Sequence, residues 1–576
     1  MLDLTPQQME RVVATVPGGT GNIQDAYPLL PMQEGMLLHH MLEKQGDPYV
    51  IATALGFASR ARLDAFIQAL QKVIDRHDIL RTAFLWEDLP QPIQVVYRRA
   101  VLGVAHLEFN RSGNRTEQLQ EWLKPEWQRL DLRHAPQVRL SIGPAEDGVR
   151  WYALLQIHHL VCDALSHEII VREVVEHLKG SVPALPTPIR YGDHVAWTLA
   201  TARIQEAEKF FREKLYDVHE PTAPFGIVDM YEAVAYMDEA SEALESALCE
   251  RLRQQAKRHR VSAATLFHTA WGLVVSHTSG RNDVVYGTVL SGRLQMGAGV
   301  RQRVGMFLNT LPLRIRLENI SIKEAVAQTQ RGMLELLGYE QSSLAQAQQC
   351  SSIPKSLPLF TSLLNYRHGG GDPESDWTND TLGIRLLGRR IWTNYPITLF
   401  VDDRGRGFYL TVQTNGRIDS RRMVRYARTA AQSLVEALEV APETLALDVP
   451  VMSTAELTEV VNTFNPIRAR YSQEPPRREY EAPVGDIEQT LAEIWAEVLG
   501  VREVSRYDNF FELGGHSLLS FKLLMKVSER FGIQSATVSI FRCPSVATMA
   551  QLVECLLSPL ERAPPAGEME LDEGAL

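Results

Sequence analysis

Two adjacent histidines followed by an aspartate form the group in this sequence best suited to proton transfer. His158 and His159 come directly after Val149 to Ile157, and Asp163 lies four residues beyond the second histidine. Histidine titrates near neutral pH, so a histidine that meets a substrate can accept or donate a proton. The three side chains therefore indicate acid–base chemistry, and a metal site is the alternative.

The local periodicity argues against the metal site. Neighbouring residues on a strand point to opposite faces, so His158 and His159 are poorly placed to bind one ion together. We expect one of the two rings to face the core and the other to face a channel.

The elements around the pair are a strand and a helix. Val149 to Ile157 is rich in aromatic and β-branched residues, which predicts a largely buried strand. After Asp163 apolar residues recur at helical spacing, and Gly180 is a plausible end of that helix. The histidines therefore lie at a strand-to-helix junction.

The pattern His158-His159-x-x-x-Asp163 resembles the active-site motif of the condensation domains of nonribosomal peptide synthetases, relatives of the chloramphenicol acetyltransferases. The resemblance implies that His159, with His158 beside it, is the histidine that positions or deprotonates the attacking nucleophile. It implies a structural Asp163, for which Arg293 is the candidate partner. The family pattern ends in glycine where this chain has Ala164. If that glycine needs a positive φ, alanine strains the turn.

Further stretches resemble condensation-domain motifs and occur in the family order between Tyr27 and Val451. They are residues 27–40, 191–197, 304–314, 358–366 and 394–396. Most of these residues are expected to serve loop and strand packing, and Asn309 is placed at the cleft as a hydrogen-bonding group. The implied fold class is α/β, with two chloramphenicol-acetyltransferase-like lobes forming a V-shaped pseudodimer.

A second histidine pair lies near the N-terminus. His39 and His40, followed by Gly46 and Asp47, are similar to the extra signature of the dual epimerisation/condensation subtype, with Met41 where that subtype usually has Ile or Leu. Without the resemblance, the two histidines are interpreted as exposed helix residues. Both interpretations stay open at this stage.

A serine at a predicted helix start marks the C-terminal part. Ser517 follows Gly514-Gly515 and precedes apolar residues at helical spacing. It is either a helix N-cap or a site where the helix N-terminus favours a phosphodiester. A serine-hydrolase elbow would need glycine where Leu519 stands. The run resembles the attachment site of peptidyl carrier domains, which implies covalent 4′-phosphopantetheine on Ser517.

The predicted domain organisation has six segments. They are an N-terminal helix and linker (1–26), a condensation N-lobe (27–180), a condensation C-lobe (181–452), a linker (453–483), a carrier domain of four helices (484–558) and a disordered acidic tail (559–576). The linker resembles the entry and exit of an adenylation domain whose body is missing. The tail is either a solvated end or a docking motif that adds a strand to a basic partner.

Composition narrows the class of protein. The chain has 576 residues, a net charge of −11 and a pI of about 5.9, which argues against a general nucleic-acid binder. Its 5 cysteines show no zinc-ribbon spacing and fit a reducing cytoplasm. No apolar run has transmembrane length and no signal peptide is visible, so we expect no membrane partner.

The expected function is acyl transfer from an upstream acyl or peptidyl carrier protein, with amide formation on the chain's own carrier as the default. A phosphopantetheinyl transferase and a trans-acting adenylation enzyme are expected partners. One rival is a non-elongating module that moves the chain onto the Ser517 pantetheine thiol and passes it, through the tail, to a downstream condensation or release enzyme. The other rival is an inactive docking scaffold.

Overall fold

The structure is a computed structural model. It describes residues 4–42, 46–110, 113–180, 187–201, 204–229, 237–293, 302–355, 357–368, 381–471, 480–510, 513, 515, 517–533, 540 and 543–557. Two compact units divide near residue 476. The first contains both predicted lobes, and the second contains most of the predicted carrier.

Helices and strands alternate through the first unit, and the second is helical. The helices are α1 (Pro6–Thr15), α2 (Pro31–Leu42), α3 (Arg60–Arg76), α4 (Arg115–Glu121), α5 (Ala164–Lys179), α6 (Tyr191–Thr201), α7 (Ile204–Leu215), α8 (Ser246–His259), α9 (Ala263–Ser279), α10 (Ile322–Leu337), α11 (Leu344–Gln349), α12 (Ser420–Val440), α13 (Thr454–Tyr471), α14 (Gly485–Leu499), α15 (Ser517–Phe531) and α16 (Val546–Leu557). The strands are β1 (Ile23–Pro28), β2 (Val50–Phe57), β3 (Thr82–Leu85), β4 (Ile93–Tyr97), β5 (Gly103–His106), β6 (Val138–Pro144), β7 (Trp151–His158), β8 (Asp238–Ala243), β9 (Asp283–Leu290), β10 (Asn309–Arg316), β11 (Ser362–His368), β12 (Ile384–Arg390), β13 (Ile397–Asp403) and β14 (Phe408–Thr414).

The N-lobe is built on a 5-stranded sheet in the order β12-β2-β7-β6-β5, beside a 3-stranded sheet in the order β1-β4-β3. Strand β7 is buried almost throughout, as its apolar composition predicts, and it pairs antiparallel with β2 so that His158 lies opposite Val50. Helix α5 follows β7 and ends at Gly180, whose φ of 70° is the left-handed conformation that glycine adopts readily. The predicted strand-to-helix junction is present.

The C-lobe is built on a 6-stranded sheet in the order β10-β9-β11-β13-β14-β8. Helix α9 is buried on nearly all sides, and α12 packs against it. Strand β10 is an edge strand, and three of its residues have no free N–H to offer to another strand. Pro312 has no N–H, Thr310 N donates to Asn309 Oδ1 at 3.0 Å and Arg316 N donates to Gln328 Oε1 at 2.8 Å. These features weaken the edge as a site for pairing with another strand.

One strand belongs to the opposite lobe from its neighbours in sequence. Strand β12 lies in the segment predicted as C-lobe, but it pairs antiparallel with β2 of the N-lobe sheet, from Ile384 opposite Phe57 to Arg390 opposite Ala52. The two lobes are therefore joined by a shared sheet as well as by side-chain contacts. Sequence order alone could not assign this strand, because pairing depends on partners that are distant in the chain.

The first half of the segment predicted as a linker (453–483) is helical. Helix α13 covers Thr454–Tyr471. Ser453 Oγ accepts from Glu456 N at 3.3 Å, and the Glu456 carboxylate accepts from Ser453 N at 3.2 Å. This capping box starts the helix, and Val460 is buried with the C-lobe core.

The second unit has the expected helical core. Helices α14 and α16 pack against each other around Trp495, which is fully buried. Phe510 contacts Trp495 edge-to-face at a ring-centroid distance of 5.2 Å. The predicted helix at 536–541 and the tail from 559 lie outside the described residues, apart from residue 540. Within the described chain, every helix is too short or too polar to cross a bilayer.

Candidate active site

The histidine pair lies where β7 ends and a short turn leads to α5. His158 is the last residue of β7 and is completely buried, whereas His159 opens a 3-10 turn to Val161 and is half-buried. Gln33 of α2 holds that turn, because its side-chain amide donates to Leu160 O at 2.9 Å. The two rings therefore occupy different environments, as the strand periodicity predicted.

His159 is held through its main chain. Its N–H donates to Tyr49 O at 2.7 Å, and its carbonyl accepts from Cys162 N at 3.2 Å. The Nδ1 atom is buried, and none of the described residues bonds to it. Burial lowers the pKa of His159 from 6.5 to about 4, and the nearby Asp163 carboxylate opposes that shift only in part. The imidazole is therefore neutral at pH 7 and able to accept a proton.

Asp163 links the two lobes. Arg293 Nη2 lies 2.8 Å from each carboxylate oxygen of Asp163, and both side chains are buried. Asp163 also caps α5 by accepting from Ser166 N at 2.8 Å. Ser166 Oγ donates to Gly305 O at 2.8 Å. The guanidinium carbon of Arg293 lies 3.9 Å from the centroid of the Phe307 ring. The pairing implied by the resemblance is present, and it lies four residues from His159.

The expected strain at Ala164 is wrong. Ala164 is the first residue of α5, where Asp163 is the N-cap. Positive φ angles among described non-glycine residues occur only at Asp88, Phe225, Arg260 and Asn319. A helical conformation suits alanine, so the missing glycine does not distort this turn.

Asn309, the hydrogen-bonding residue predicted at the cleft, bonds to the main chain. Its side-chain nitrogen donates to Glu340 O at 2.8 Å and to Ser342 O at 2.7 Å. Its oxygen accepts from Thr310 N at 3.0 Å, and the residue is 6% exposed. Because both amide hydrogens are bonded to the main chain, Asn309 ties the start of β10 to the loop after α10.

The second histidine pair of the sequence is not an exposed helix face. His40 is 5% exposed, and its Nδ1 lies 2.6 Å from Asp47 Oδ2. The same oxygen lies 3.0 Å from His158 Nε2. His39 turns the other way, where its Nε2 lies 3.0 Å from the side-chain nitrogen of Asn394 in the C-lobe. Each histidine of the pair thus has its own buried partner.

His40, Asp47 and His158 carry metal-ligating atoms within 4.8 Å of one another. Their hydrogen bonds favour a different function. Leu160 N donates to His158 Nδ1 at 3.0 Å, so in the neutral ring the hydrogen is on Nε2, which donates to Asp47. A nitrogen that bears a hydrogen has no lone pair for an ion, and the arrangement is that of two imidazoles donating to one carboxylate.

Sequence reasoning missed several residues that build this site. Ser166, Gly305, Tyr49 and Gln33 all bond to the segment from His159 to Asp163. The spacing Asp163-x-x-Ser166 is a helix-start pattern that could have identified Ser166. The other contacts come from distant parts of the chain. Gln33 and Gly305 lie in the motif-like stretches 27–40 and 304–314, but nothing local indicates which residues they bond to.

The described carrier residues place Ser517 at a helix start. Ser517 is the first residue of α15. Gly515 N donates to Phe510 O at 2.9 Å. A Cβ on Gly515 would lie 2.2 Å from the Phe510 ring, so only glycine fits the close approach that precedes this helix. A helix N-terminus favours the phosphate of a phosphopantetheine group, so the local backbone fits that cofactor.

Comparisons with known proteins agree with this geometry. The condensation domain family matches residues 23–456, and the phosphopantetheine attachment site family matches residues 489–553. Malpinin synthetase of Mortierella alpina is 40% identical over 474 residues, which cover 82% of this chain and 6% of that protein. Malpibaldin synthetase of the same organism is 39% identical over 483 residues, covering 82% and 9%. The chain thus spans less than a tenth of these relatives.

A solved structure shows the same fold. Holo-AB3403, a four domain nonribosomal peptide synthetase bound to AMP and glycine, superposes with a TM-score of 0.61 at 16% identity, covering 83% of this chain and 37% of that one. The chain therefore belongs to the condensation domain family of nonribosomal peptide synthetases, and its C-terminal part is a phosphopantetheine-binding carrier domain.

Proposed function

We propose that this chain transfers an acyl group from the thioester of an upstream carrier to an amine carried on its own Ser517, forming an amide. The observation that supports this most is His159, a half-buried neutral imidazole at the end of β7. Asp163, four residues later, pairs with Arg293 of the C-lobe, so the turn that holds His159 is fixed from both lobes. Phosphopantetheine supplies the flexible thiol tether.

His159 orients the nucleophile and moves its proton. Because Nδ1 is buried, we assign Nε2 as the nitrogen that meets the substrate. Nε2 accepts a proton from the attacking amine as the carbon–nitrogen bond forms, and the proton then goes to the departing thiolate as the carbon–sulfur bond breaks. Positioning of the two reactants supplies much of the rate.

Intact-protein mass spectrometry tests this proposal. The phosphopantetheinylated protein, with an aminoacyl group loaded on Ser517, is mixed with an acyl-loaded donor carrier, and the mass on Ser517 is followed in time. We expect the acyl mass to appear on the wild type and to be lost in His159→Ala. His106→Ala, an exposed histidine of β5, should react at the wild-type rate.

A thioester relay is the second candidate. Only residues 457–488 separate the two matched families, so no adenylation domain lies between them to load Ser517. In a relay, the Ser517 pantetheine thiol would attack the donor thioester directly, and His159 would take the thiol proton. As the donor carbon–sulfur bond breaks, that proton would pass to the departing donor thiolate. The same measurement without an amino acid separates the two candidates, because only a relay moves the acyl mass onto an unloaded thiol.

A docking scaffold without catalysis is the outcome that contradicts both candidates. In that case, His159→Ala would change neither transfer. An adenylation enzyme that loads Ser517 in trans would instead favour amide formation. We also propose that the acidic tail docks a downstream enzyme. Removing residues 559–576 and measuring acyl transfer from Ser517 to that enzyme tests this.

A further inference from the structure

Asp47 is the side chain on which the contacts behind His159 converge. Its Oδ2 accepts from His40 Nδ1 at 2.6 Å and from His158 Nε2 at 3.0 Å, while its Oδ1 accepts from Tyr49 N at 2.9 Å. Asp47 is completely buried. Three N–H donors therefore stabilise the negative charge of one buried carboxylate. These bonds and the nearby histidines outweigh desolvation and hold the pKa of Asp47 well below its usual range.

Two separate routes lead from Asp47 to His159. One runs through the ring of His158, the residue directly before His159. The other runs through Tyr49, whose N–H is bonded to Asp47 and whose carbonyl accepts from His159 N at 2.7 Å. The two routes hold the main chain of His159 from the β7 side and from the β2 side.

Main-chain anchors matter here because the Nδ1 atom of the His159 ring has no hydrogen bond to any residue that the structure describes. In many active sites a carboxylate bonded to the catalytic imidazole sets its orientation. His159 depends on its backbone and on packing instead, so a shift of that backbone moves the ring.

Hydrogen bonds and close main-chain contacts hold Asp47 itself in place. Its N–H donates to Pro125 O at 3.2 Å. Arg129 donates to Gly46 O at 3.2 Å and to His40 O at 3.0 Å. Gly46 has a φ of 82°, and a Cβ there would lie 2.6 Å from Pro125 O, so glycine is required beside the aspartate.

We propose that Asp47 is a positioning residue for His159. Asp47 and His40, the two residues of the N-terminal signature that meet here, act through His158 and Tyr49 and do not contact the substrate. This rests on the proposed function of His159. His40 is buried behind His158, at a ring-centroid distance of 6.0 Å, which is why we assign it no contact with the reacting groups.

Asp47→Asn is the primary test in the full phosphopantetheinylated chain. Asparagine has nearly the size of aspartate, and its side-chain oxygen can still accept from Tyr49 N. It lacks the negative charge, and its side-chain nitrogen cannot accept hydrogen bonds from the two histidines. We expect the single-turnover transfer rate at saturating donor carrier to fall by about 10- to 100-fold, since small misplacements of a catalytic group cost this much. The KM for the donor carrier should stay unchanged.

Glu173→Gln is the matched control. Glu173 is a buried carboxylate of the same lobe that bonds to His77 Nε2 at 2.9 Å and pairs with Arg76 Nε at 3.2 Å, so the substitution also removes a buried carboxylate charge bonded to a histidine. Its transfer rate should remain within about 2-fold of the wild type, and an equal loss in both variants would overturn the positioning function. His40→Gln leaves both routes intact and should lower the rate much less than Asp47→Asn.

A readout that does not depend on activity separates this inference from the proposed function. In protein labelled with ¹⁵N-histidine, the His159 ring signals are identified by their loss in His159→Ala. We expect Asp47→Asn to shift them and Glu173→Gln to leave them in place. Unshifted signals would overturn the inference. Full transfer by His159→Ala would overturn the proposed function. The shift of the His159 ring signals in Asp47→Asn could still be measured in that case, so the two failures are distinguishable.

Discussion

At the scale of single residues, the buried ion pair between Asp163 and Arg293 makes the site depend on both lobes. The two side chains are 1% and 6% exposed. A charge in such a position is tolerated because its partner and its hydrogen bonds replace water. Removing one partner leaves the other charge buried and uncompensated, which costs more than the pair itself contributes.

The first prediction concerns this pair. Asp163→Asn and Arg293→Gln should each lower the free energy of unfolding by about 3 kcal/mol, because each leaves an unpaired buried charge. The double variant should lose about 2 kcal/mol less than the sum of the two. Urea denaturation checks this.

Arg251→Gln serves as the control, because its ion pair with Glu439 is partly exposed, at 34% and 28%. It should cost no more than about 1 kcal/mol. Additive losses for Asp163 and Arg293 would show that the two charges do not depend on each other.

At the scale of elements, the segment between α2 and β2 is tightly constrained where it passes Pro125. Gly46 has left-handed backbone geometry and no room for a Cβ. Both conditions exclude other residues there, and the next residue is Asp47. The tight passage and the hydrogen bonds of Asp47 are therefore parts of one arrangement.

The second prediction separates steric clash from backbone strain. Gly46→Ala should lower the free energy of unfolding by at least about 2 kcal/mol, since it combines a positive φ with a collision. Gly148→Ala has a similar φ of 68° but open space around it, so it should cost only about 1 kcal/mol. Equal losses in urea denaturation would mean that the contact with Pro125 yields easily.

At the scale of the whole molecule, several buried histidines make stability depend on pH. Burial lowers the pKa from 6.5 to about 4 in His39 and His159, and to about 3 in His194 and His268. In the unfolded chain these groups titrate near 6.5. The stability they contribute is fully present above pH 6.5. It is lost as the pH falls to about 4 for His39 and His159 and to about 3 for His194 and His268, because the unfolded state binds protons more readily than the folded state.

The third prediction tests this with one histidine. His268 is buried, and its Nε2 lies 2.8 Å from Thr288 Oγ1. His268→Gln should lower stability at pH 7 but make the loss between pH 6.5 and 4.5 shallower by about 1 kcal/mol per pH unit. Urea denaturation across this range measures the slope, and His106→Gln on the exposed strand β5 should keep the wild-type slope.

The fourth prediction concerns the two units. Trp495 is the fully buried centre of the carrier core, and Trp271 is its counterpart in the C-lobe, 1% exposed. Trp495→Ala should expose residues 485–557 to hydrogen exchange while the peptides around β7 stay protected, since the large cavity costs about 3–5 kcal/mol in one core only. Trp271→Ala should give the opposite pattern. Loss of protection in both units from either variant would show that they unfold together.

The elements at the strand-to-helix junction could be predicted from the local sequence. Strand β7, helix α5 with its end at Gly180, and the opposite environments of His158 and His159 follow from apolar periodicity and side-chain alternation, which are short-range properties. The partner of Asp163 also followed, although only through the resemblance of the motif. The helical start at Ser517 belongs to the same class, because turn glycines and helical spacing are adjacent in the chain.

Other features depend on the tertiary structure, because they require contacts between residues that are distant in the chain. It placed β12 in the N-lobe sheet, gave Asn309 two main-chain carbonyls to bind, and made Ala164 an ordinary helical residue. It also brought His40 and Asp47 close to His158, which follows both of them in the sequence by more than a hundred residues. Burial and hydrogen-bond partners set tautomers and pKa values, and both are defined only once remote segments have packed together.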